Sequence, residues 1–207
     1  MSTPGQQATV STAEGARVRD PGRREKILQA AAELVAQRGY HAVSLADIGA
    51  AAGIVGSGVY RHFTSKSAIL VALLDQVMAR LLDNTASVVA RGRDDGQVLA
   101  ALVADQVAFA VDDRYLVRLY EREVHTLPDA DRRRLRRLQR HYVEEWVHVL
   151  AGLRPELTDG QARAMVHAAI GAIQSGASYN SGLPPGEQQI LLGSVAHACL
   201  SAPVTAR

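Results

Sequence analysis

Side chains between residues 57 and 66 have the types and spacing needed to bind the backbone and base edges of a DNA duplex. The Tyr60 hydroxyl suits a phosphate, Arg61 suits a phosphate or a guanine edge, and Lys66 suits a further phosphate. Ser44, at a predicted helix start, can present backbone amides to another phosphate. The predicted DNA-contact residues are Ser44, Gly56, Ser57, Gly58, Tyr60, Arg61, His62 and Lys66. The alternative is a core position for Tyr60 and a place beside the domain junction for His62.

Other parts of the chain carry residue types used for metal binding or catalysis. His141, Glu145 and His148 recur at i, i+4 and i+7, so they share a helix face and could hold a divalent ion. No cysteine or further histidine lies near them in sequence, which favours an ordinary surface or pocket stripe. The glycine-rich run 53–58 follows a predicted helix and lacks the lysine of a nucleotide-binding loop. The sequence therefore predicts a protein without a metal, a cofactor or catalytic residues.

Two short helices joined by a tight turn must position the DNA-contact residues. Ser44 is a good N-cap with Asp47 at the third helical position, so one helix begins immediately after Ser44. Gly53 can take the left-handed conformation that a sharp turn needs. In the next helix Val59 and Phe63 share one face, which leaves a polar face for base edges. This pattern predicts a helix-turn-helix, which lays its second helix in the major groove.

Two glycines lie inside the predicted recognition helix. Gly56 and Gly58 each cost a helix about 1 kcal/mol relative to alanine. We expect them to let the backbone approach the groove closely, with the helix becoming firmer on DNA. Higher stability of a Gly58→Ala variant with unchanged operator affinity would remove this hypothesis.

An ordered set of residues extends these signals over about 23–74: Gly39-Tyr40, Ser44 with Ala46-Asp47-Ile48, Ala52-Gly53-Ile54, Val59-Tyr60-Arg61-His62-Phe63, and Ser65-Lys66 followed by Ile69-Leu70. This set resembles the TetR family of bacterial transcriptional regulators. The chain departs from the family pattern at Val55 and Gly56, where the family often has a serine and then a lysine. The resemblance implies a homodimer, formed by the last two helices, that binds an operator and holds a small effector in its C-terminal domain.

The charge distribution favours the N-terminal segment as the nucleic-acid surface. The 207 residues carry a net charge of +2, but residues 1–66 hold 8 Lys and Arg against 5 Asp and Glu, and residues 67–207 hold 15 against 16. A hydrophobic fraction of 47% is typical of a globular chain, and no apolar run of about 20 residues could span a membrane. The first residues lack a secretory signal and Cys199 is the single cysteine, so the sequence predicts a cytoplasmic protein.

We expect an all-α protein of about nine helices in two domains. The composition of residues 1–20, rich in Ser, Thr, Gly, Gln and Ala, predicts a disordered arm. Its arginines either contact DNA or are only solvated. Residues 21–66 predict a three-helix DNA-binding domain with the helix-turn-helix, and residues 67–207 predict a helical domain for effector binding and dimerisation. The last two helices, at about 159–178 and 185–201, are rich in Ala, Gly and Ser, so two copies can approach closely. The alternative is that these helices form only the core of one chain.

Aromatic and polar residues of the C-terminal domain suit the effector cavity that the resemblance implies. The predicted ligand-binding residues are Phe109, Tyr115, Leu119, Arg122, Tyr142, Trp146 and Gln174, although a single Trp or Tyr on such a helix is commonly plain core. Arginines at positions 132, 133, 134, 136, 137 and 140 form either a solvated face or a cationic mouth for an anionic ligand. These features favour a hydrophobic effector with an acidic group, such as a fatty acyl or acyl-coenzyme A.

The sequence as a whole predicts a homodimeric repressor that binds a palindromic operator in double-stranded DNA and is released by a small molecule. One alternative is an activator, or a regulator that needs no ligand. Another is a helical small-molecule-binding protein or enzyme that no longer binds DNA. The departure from the family pattern at Val55 and Gly56 is compatible with this alternative.

Overall fold

The computed structural model describes residues 21–54, 56–92 and 94–204, and every regular element in these ranges is a helix. The eight α-helices are α1 (Pro21–Arg38), α2 (Leu45–Ala51), α3 (Lys66–Arg91), α4 (Asp95–Asp112), α5 (Arg114–Glu123), α6 (Asp129–Leu153), α7 (Asp159–Ser178) and α8 (Pro185–Ser201). Two short 3-10 helices cover Gly56–Arg61 and Val124–Thr126. The all-α prediction is confirmed, and the arm predicted at residues 1–20 lies outside the described residues. None of the described helices combines the length and the hydropathy that a membrane span requires.

The predicted start of α2 is confirmed by its hydrogen bonds. The amide of Asp47 donates to the Ser44 hydroxyl oxygen at 3.1 Å, and the Ser44 amide donates to the Asp47 carboxylate at 2.8 Å, which closes a capping box. The Ser44 hydroxyl also donates to this carboxylate, which holds the pKa of Asp47 below its ordinary value. Gly39 and Gly53 have φ angles of 81° and 68°, so both take the left-handed conformation that ends a helix sharply.

The recognition segment is a 3-10 helix, Gly56–Arg61, rather than a regular α-helix. The Val59 carbonyl accepts from the amides of both His62 and Phe63 at 2.9 Å, so one α-type bond follows the 3-10 turns. The two glycines lower the α-helix propensity of the segment. A Cβ on Gly58 would lie 2.4 Å from the Cγ2 methyl of Ile54. Gly58 is therefore needed for packing inside the domain, so an alanine there would be strained rather than stabilising.

The C-terminal domain is a bundle built around α4, α6, α7 and α8, with α3 running into it from the DNA-binding domain. Its core includes Leu135, Trp146, Leu150 and Ile173, all with 0 or 1% exposure. Helices α7 and α8 approach closely, since a Cβ on Gly176 would lie 2.5 Å from the Cδ1 atom of Leu192. Helix α5 is short and lies between this bundle and α1.

Candidate DNA-binding surface and effector cavity

The recognition segment buries its apolar face and exposes side chains that suit DNA contacts. Val59 and Phe63 are buried, as their spacing predicts, whereas Arg61 is exposed and Tyr60 is 59% exposed. The core alternative for Tyr60 is therefore wrong. Gly58 and His62 are half-buried beside them. For Gly56 and Ser57 the structure describes the backbone only, which places both in the 3-10 helix.

Lys66 holds the loop between α1 and α2 in place. Its ammonium donates to the carbonyl oxygens of Tyr40 and Val43, each at 2.9 Å, and lies 4.4 Å from the centre of the Tyr40 ring. Ser44 follows this loop directly, so the start of α2 depends on the same contacts. The phosphate contact of Lys66 stays a prediction. In the described structure its ammonium binds carbonyl oxygens of the protein itself.

Substitution of Lys66 by methionine should lower the free energy of unfolding by about 1–3 kcal/mol, because part-buried carbonyls lose a charged donor. Denaturant unfolding measures the change. Lys26, the only other lysine of the chain, is exposed on α1 and supplies the matched control Lys26→Met. Unchanged stability with weaker operator binding would assign Lys66 to a phosphate instead.

A cleft of about 700 Å³ separates the end of α1 and the following loop from α5. We call it the interdomain cleft; it is lined by Val35, Ala36, Arg38, Gly39, Tyr40, His41, Ala42, Tyr115, Arg118, Leu119, Arg122 and Glu123. Glu123 is only 5% exposed, and its Oε1 atom lies 3.1 Å from Nε2 of His41 across the cleft. Burial, followed by the charge of Glu123, raises the pKa of Tyr40. The loop is thus held by Lys66 on one side and Glu123 on the other.

The candidate effector cavity, called the effector cavity below, has a volume of about 310 Å³ and lies among α3, α4, α5, α6 and α7. Its lining residues are Val77, Met78, Leu81, Gln106, Phe109, Leu116, Val117, Tyr120, Glu121, Val124, His125, Gln139, Tyr142, Val143, Ile170 and Gln174. Of the predicted ligand-binding residues, the structure brings together Phe109, Tyr142 and Gln174 in this cavity. The predicted residues Tyr115, Leu119 and Arg122 line the interdomain cleft instead, because they lie on the opposite side of α5.

Tyr142 of α6 and Gln106 of α4 form the inner end of the cavity, and Trp146 of α6 lies behind them. Trp146 is fully buried and does not line the cavity; its ring packs edge-on against Tyr142, with centroids 6.1 Å apart. The Tyr142 hydroxyl donates to Gln106 Oε1 at 2.6 Å, and burial raises the pKa of Tyr142, so the hydroxyl stays neutral. Gln106, which also lines the cavity, was not among the predicted ligand-binding residues. The feature that could have identified it is its position as a single amide side chain on the otherwise apolar face of α4, beside Leu102 and Val103.

The mouth of the cavity is polar and lies beside the arginines of α6. The Tyr120 hydroxyl donates to Gln139 Oε1 at 3.0 Å. Burial raises the pKa of Tyr120, and the positive charge of Arg136 offsets part of this rise. Arg132 pairs with Asp129, and Arg134 pairs with Asp75 and Asp131. The other four arginines of the run, at 133, 136, 137 and 140, are exposed and have no ion pair within the described ranges.

The candidate metal stripe is loosely arranged. Nδ1 of His141 lies 3.8 Å from Oε1 of Glu145, and both side chains are partly or largely exposed. Over the part of the chain that the structure describes, no three His, Cys, Asp or Glu side chains gather closely enough to hold an ion.

Comparison with known proteins agrees with this architecture. The family model described as bacterial regulatory proteins of the tetR family matches residues 27–73. The HTH-type transcriptional repressor KstR2 of Rhodococcus jostii is 34% identical over 145 residues, which cover 69% of each chain. A TetR-family regulator from Bordetella parapertussis has the same fold, with a TM-score of 0.76 and 21% identity over 90% of this chain and 100% of its own.

A further solved structure contains both an acyl-coenzyme A and operator DNA. AibR, in complex with isovaleryl coenzyme A and operator DNA, superposes with a TM-score of 0.70 and 20% identity over 84% of this chain and 97% of its own. At this identity the likeness concerns the fold alone. The KstR2 relative and the matched helix-turn-helix segment, with which the eight-helix fold agrees, show that the chain belongs to the TetR family of transcriptional regulators.

Proposed function

We propose that the protein is a homodimeric repressor that binds a palindromic operator and is released when a small hydrophobic or acyl-type ligand enters the effector cavity. The observation that carries the proposal is the position of α5. Its residues Leu116 and Tyr120 line the effector cavity, whereas Leu119 and Glu123 line the interdomain cleft. A ligand that moves α5 therefore acts on both spaces at once.

The outer face of the last two helices supports the dimer. Ile190 is 73% exposed and Leu191 is 52% exposed, and Val195 adds a further apolar side chain one turn along α8. Tyr179 is exposed at the end of α7. Large exposed apolar groups on neighbouring elements mark an interaction surface. A second copy of the same surface covers them under two-fold symmetry, which matches a palindromic site.

The release mechanism follows from what α5 holds. The His41–Glu123 contact fixes the loop that precedes Ser44, and Lys66 fixes the same loop from the other side. A ligand that fits the cavity better when α5 is displaced shifts the loop, and with it α2 and the recognition segment. Such a ligand weakens operator binding only through a higher affinity for the displaced state.

The chemistry of the cavity supports the effector class. Its ionisable acidic and basic lining residues, Glu121 and His125, are exposed, whereas the inner polar groups, Gln106 and Tyr142, are buried and hydrogen-bonded to each other. A volume of about 310 Å³ is at the low end for ligand sites, so it suits an acyl group rather than a nucleotide. The exposed arginines of α6 can receive an anionic head group outside. The fold relative AibR has isovaleryl coenzyme A bound.

Titration of a duplex from upstream of the gene tests the proposal. Wild-type protein should bind saturably and with strong salt dependence, and Arg61→Ala should weaken binding by about 1–3 kcal/mol per subunit. Arg137→Ala, at an exposed arginine of α6, is the matched control and should bind normally. Acyl-coenzyme A should release the wild-type complex.

Three results would contradict the proposal. Absence of binding at low salt would favour the helical ligand-binding protein that has lost DNA binding. Binding without release by any acyl ligand would favour an activator or a ligand-independent regulator. Equal loss in Arg61→Ala and Arg137→Ala would mean that the recognition segment does not determine affinity.

A further inference from the structure

Phe109 stands between the effector cavity and a second apolar space. That space, which we call the α1 crevice, has a volume of about 310 Å³ and is lined by Glu25, Leu28, Gln29, Ala32, Leu73, Gln76, Val77, Arg80, Phe109, Tyr115 and Leu116. Three of these residues, Val77, Phe109 and Leu116, also line the effector cavity. They form a wall one side chain thick, and the far side of the crevice belongs to α1 of the DNA-binding domain.

A charged side chain holds the Phe109 ring from the crevice side. The guanidinium of Arg80 lies 5.5 Å from the centre of the ring, and Arg80 lines the crevice but not the effector cavity. Arg80 is itself held by Asp113, with Nη1 2.6 Å from Oδ2 of the carboxylate. Phe109 is 4% exposed. The Arg80 contact, supported by the ion pair to Asp113, therefore holds the ring in place from the crevice side.

We propose that Phe109 sets the maximum length of the acyl chain that the effector cavity accepts. This inference rests on the acyl-type effector of the proposed function. Each methylene that enters the cavity raises affinity about fourfold through burial of apolar surface. A chain that reaches the wall gains nothing from further methylenes, since the crevice behind Phe109 is closed to it. Without the ring, the cavity and the crevice form one continuous space of roughly twice the volume.

Dissociation constants for saturated acyl-coenzyme A esters from butyryl to palmitoyl, measured below micelle-forming concentrations, test the proposal. For the wild-type protein, affinity should rise about fourfold with each added methylene up to a certain chain length and then stay level. We call that chain length the break. In Phe109→Ala the rise should continue for several methylenes beyond that break. Ala32 borders the crevice only. Ala32→Leu alone should leave the wild-type curve unchanged, whereas Phe109→Ala combined with Ala32→Leu should return the break towards shorter chains.

Phe109→Leu is the milder variant if Phe109→Ala does not fold, and it should shift the break in the same direction by fewer methylenes. An unmoved break in a folded Phe109 variant would overturn the partition. A shortened break in Ala32→Leu alone would also overturn it, because the wild-type chain would then already reach the crevice. Absence of binding of any ester by the wild-type protein would contradict the proposed acyl effector and this inference with it. The proposed operator binding would be unaffected, because the duplex titration tests it separately.

Discussion

Substitution of Leu191 by glutamate should separate the dimer and lower operator affinity by about 100-fold or more. Leu191 is 52% exposed in the single chain and lies between Ile190 and Leu192 on α8, of which Leu192 faces the core. In the proposed dimer the new carboxylate would be buried without a cation, and its symmetry copy would lie nearby. A separated subunit holds one half-site only, so the gain from binding both half-sites together is lost. Light scattering gives the mass, and duplex titration gives the affinity.

Val89→Glu is the matched control for this prediction. Val89 is an exposed apolar residue on α3, away from α7 and α8, so its substitution should leave mass and operator affinity unchanged. The circular dichroism of both variants should match the wild type, because neither side chain is in the core of one subunit. A Leu191→Glu variant that remains a dimer with full affinity would contradict the assignment of α8 to the interface.

Substitution of Trp146 by alanine should lower the free energy of unfolding by about 3–5 kcal/mol. Trp146 has 0% exposure, and its ring packs edge-on against Tyr142 in the middle of α6. The loss is large against the total stability of about 5–15 kcal/mol that is usual for folded domains. Since the chain has one tryptophan, the measurement needs far-ultraviolet circular dichroism in urea rather than intrinsic fluorescence.

Conservative variants distinguish a core role for Trp146 from a role in ligand binding. Trp146→Phe should cost less stability and should leave acyl-ligand affinity close to that of the wild type, because Trp146 does not line the cavity. Tyr142→Phe removes the donor to Gln106 inside the cavity and should change ligand affinity. Equal effects of both variants on ligand affinity would show that Trp146 contacts the ligand, as the sequence predicts.

The DNA-binding domain was largely predictable because its signals are local. The capping box of Ser44 and Asp47, and the left-handed Gly39 and Gly53, act over a few residues of chain, so their residue types and spacing specify the geometry. The 3-10 form of the recognition segment was not predictable from spacing. The spacing does not show that Gly58 packs so closely against Ile54 that it has no room for a Cβ.

The effector site was only partly predictable because it is built from five helices far apart in sequence. Helical periodicity identifies the apolar residues of α5, but it does not say which neighbour each side of the helix meets. It therefore does not show that Leu119 lines the interdomain cleft rather than the cavity. Likewise, the position of Lys66 predicts a phosphate contact, but it does not show that the Lys66 ammonium donates to the carbonyls of Tyr40 and Val43.

The amino-acid sequence was sufficient to predict the all-helical class, the start of α2 and the position of the helix-turn-helix, since hydrogen bonds and side-chain periodicity within about one or two turns decide these features. The folded chain was needed to show that Gln106 and Tyr142 pair inside the cavity, that Trp146 lies behind them, and that Phe109 lines both the cavity and the α1 crevice. These features depend on which helix faces meet, and that choice is made by packing of the whole core.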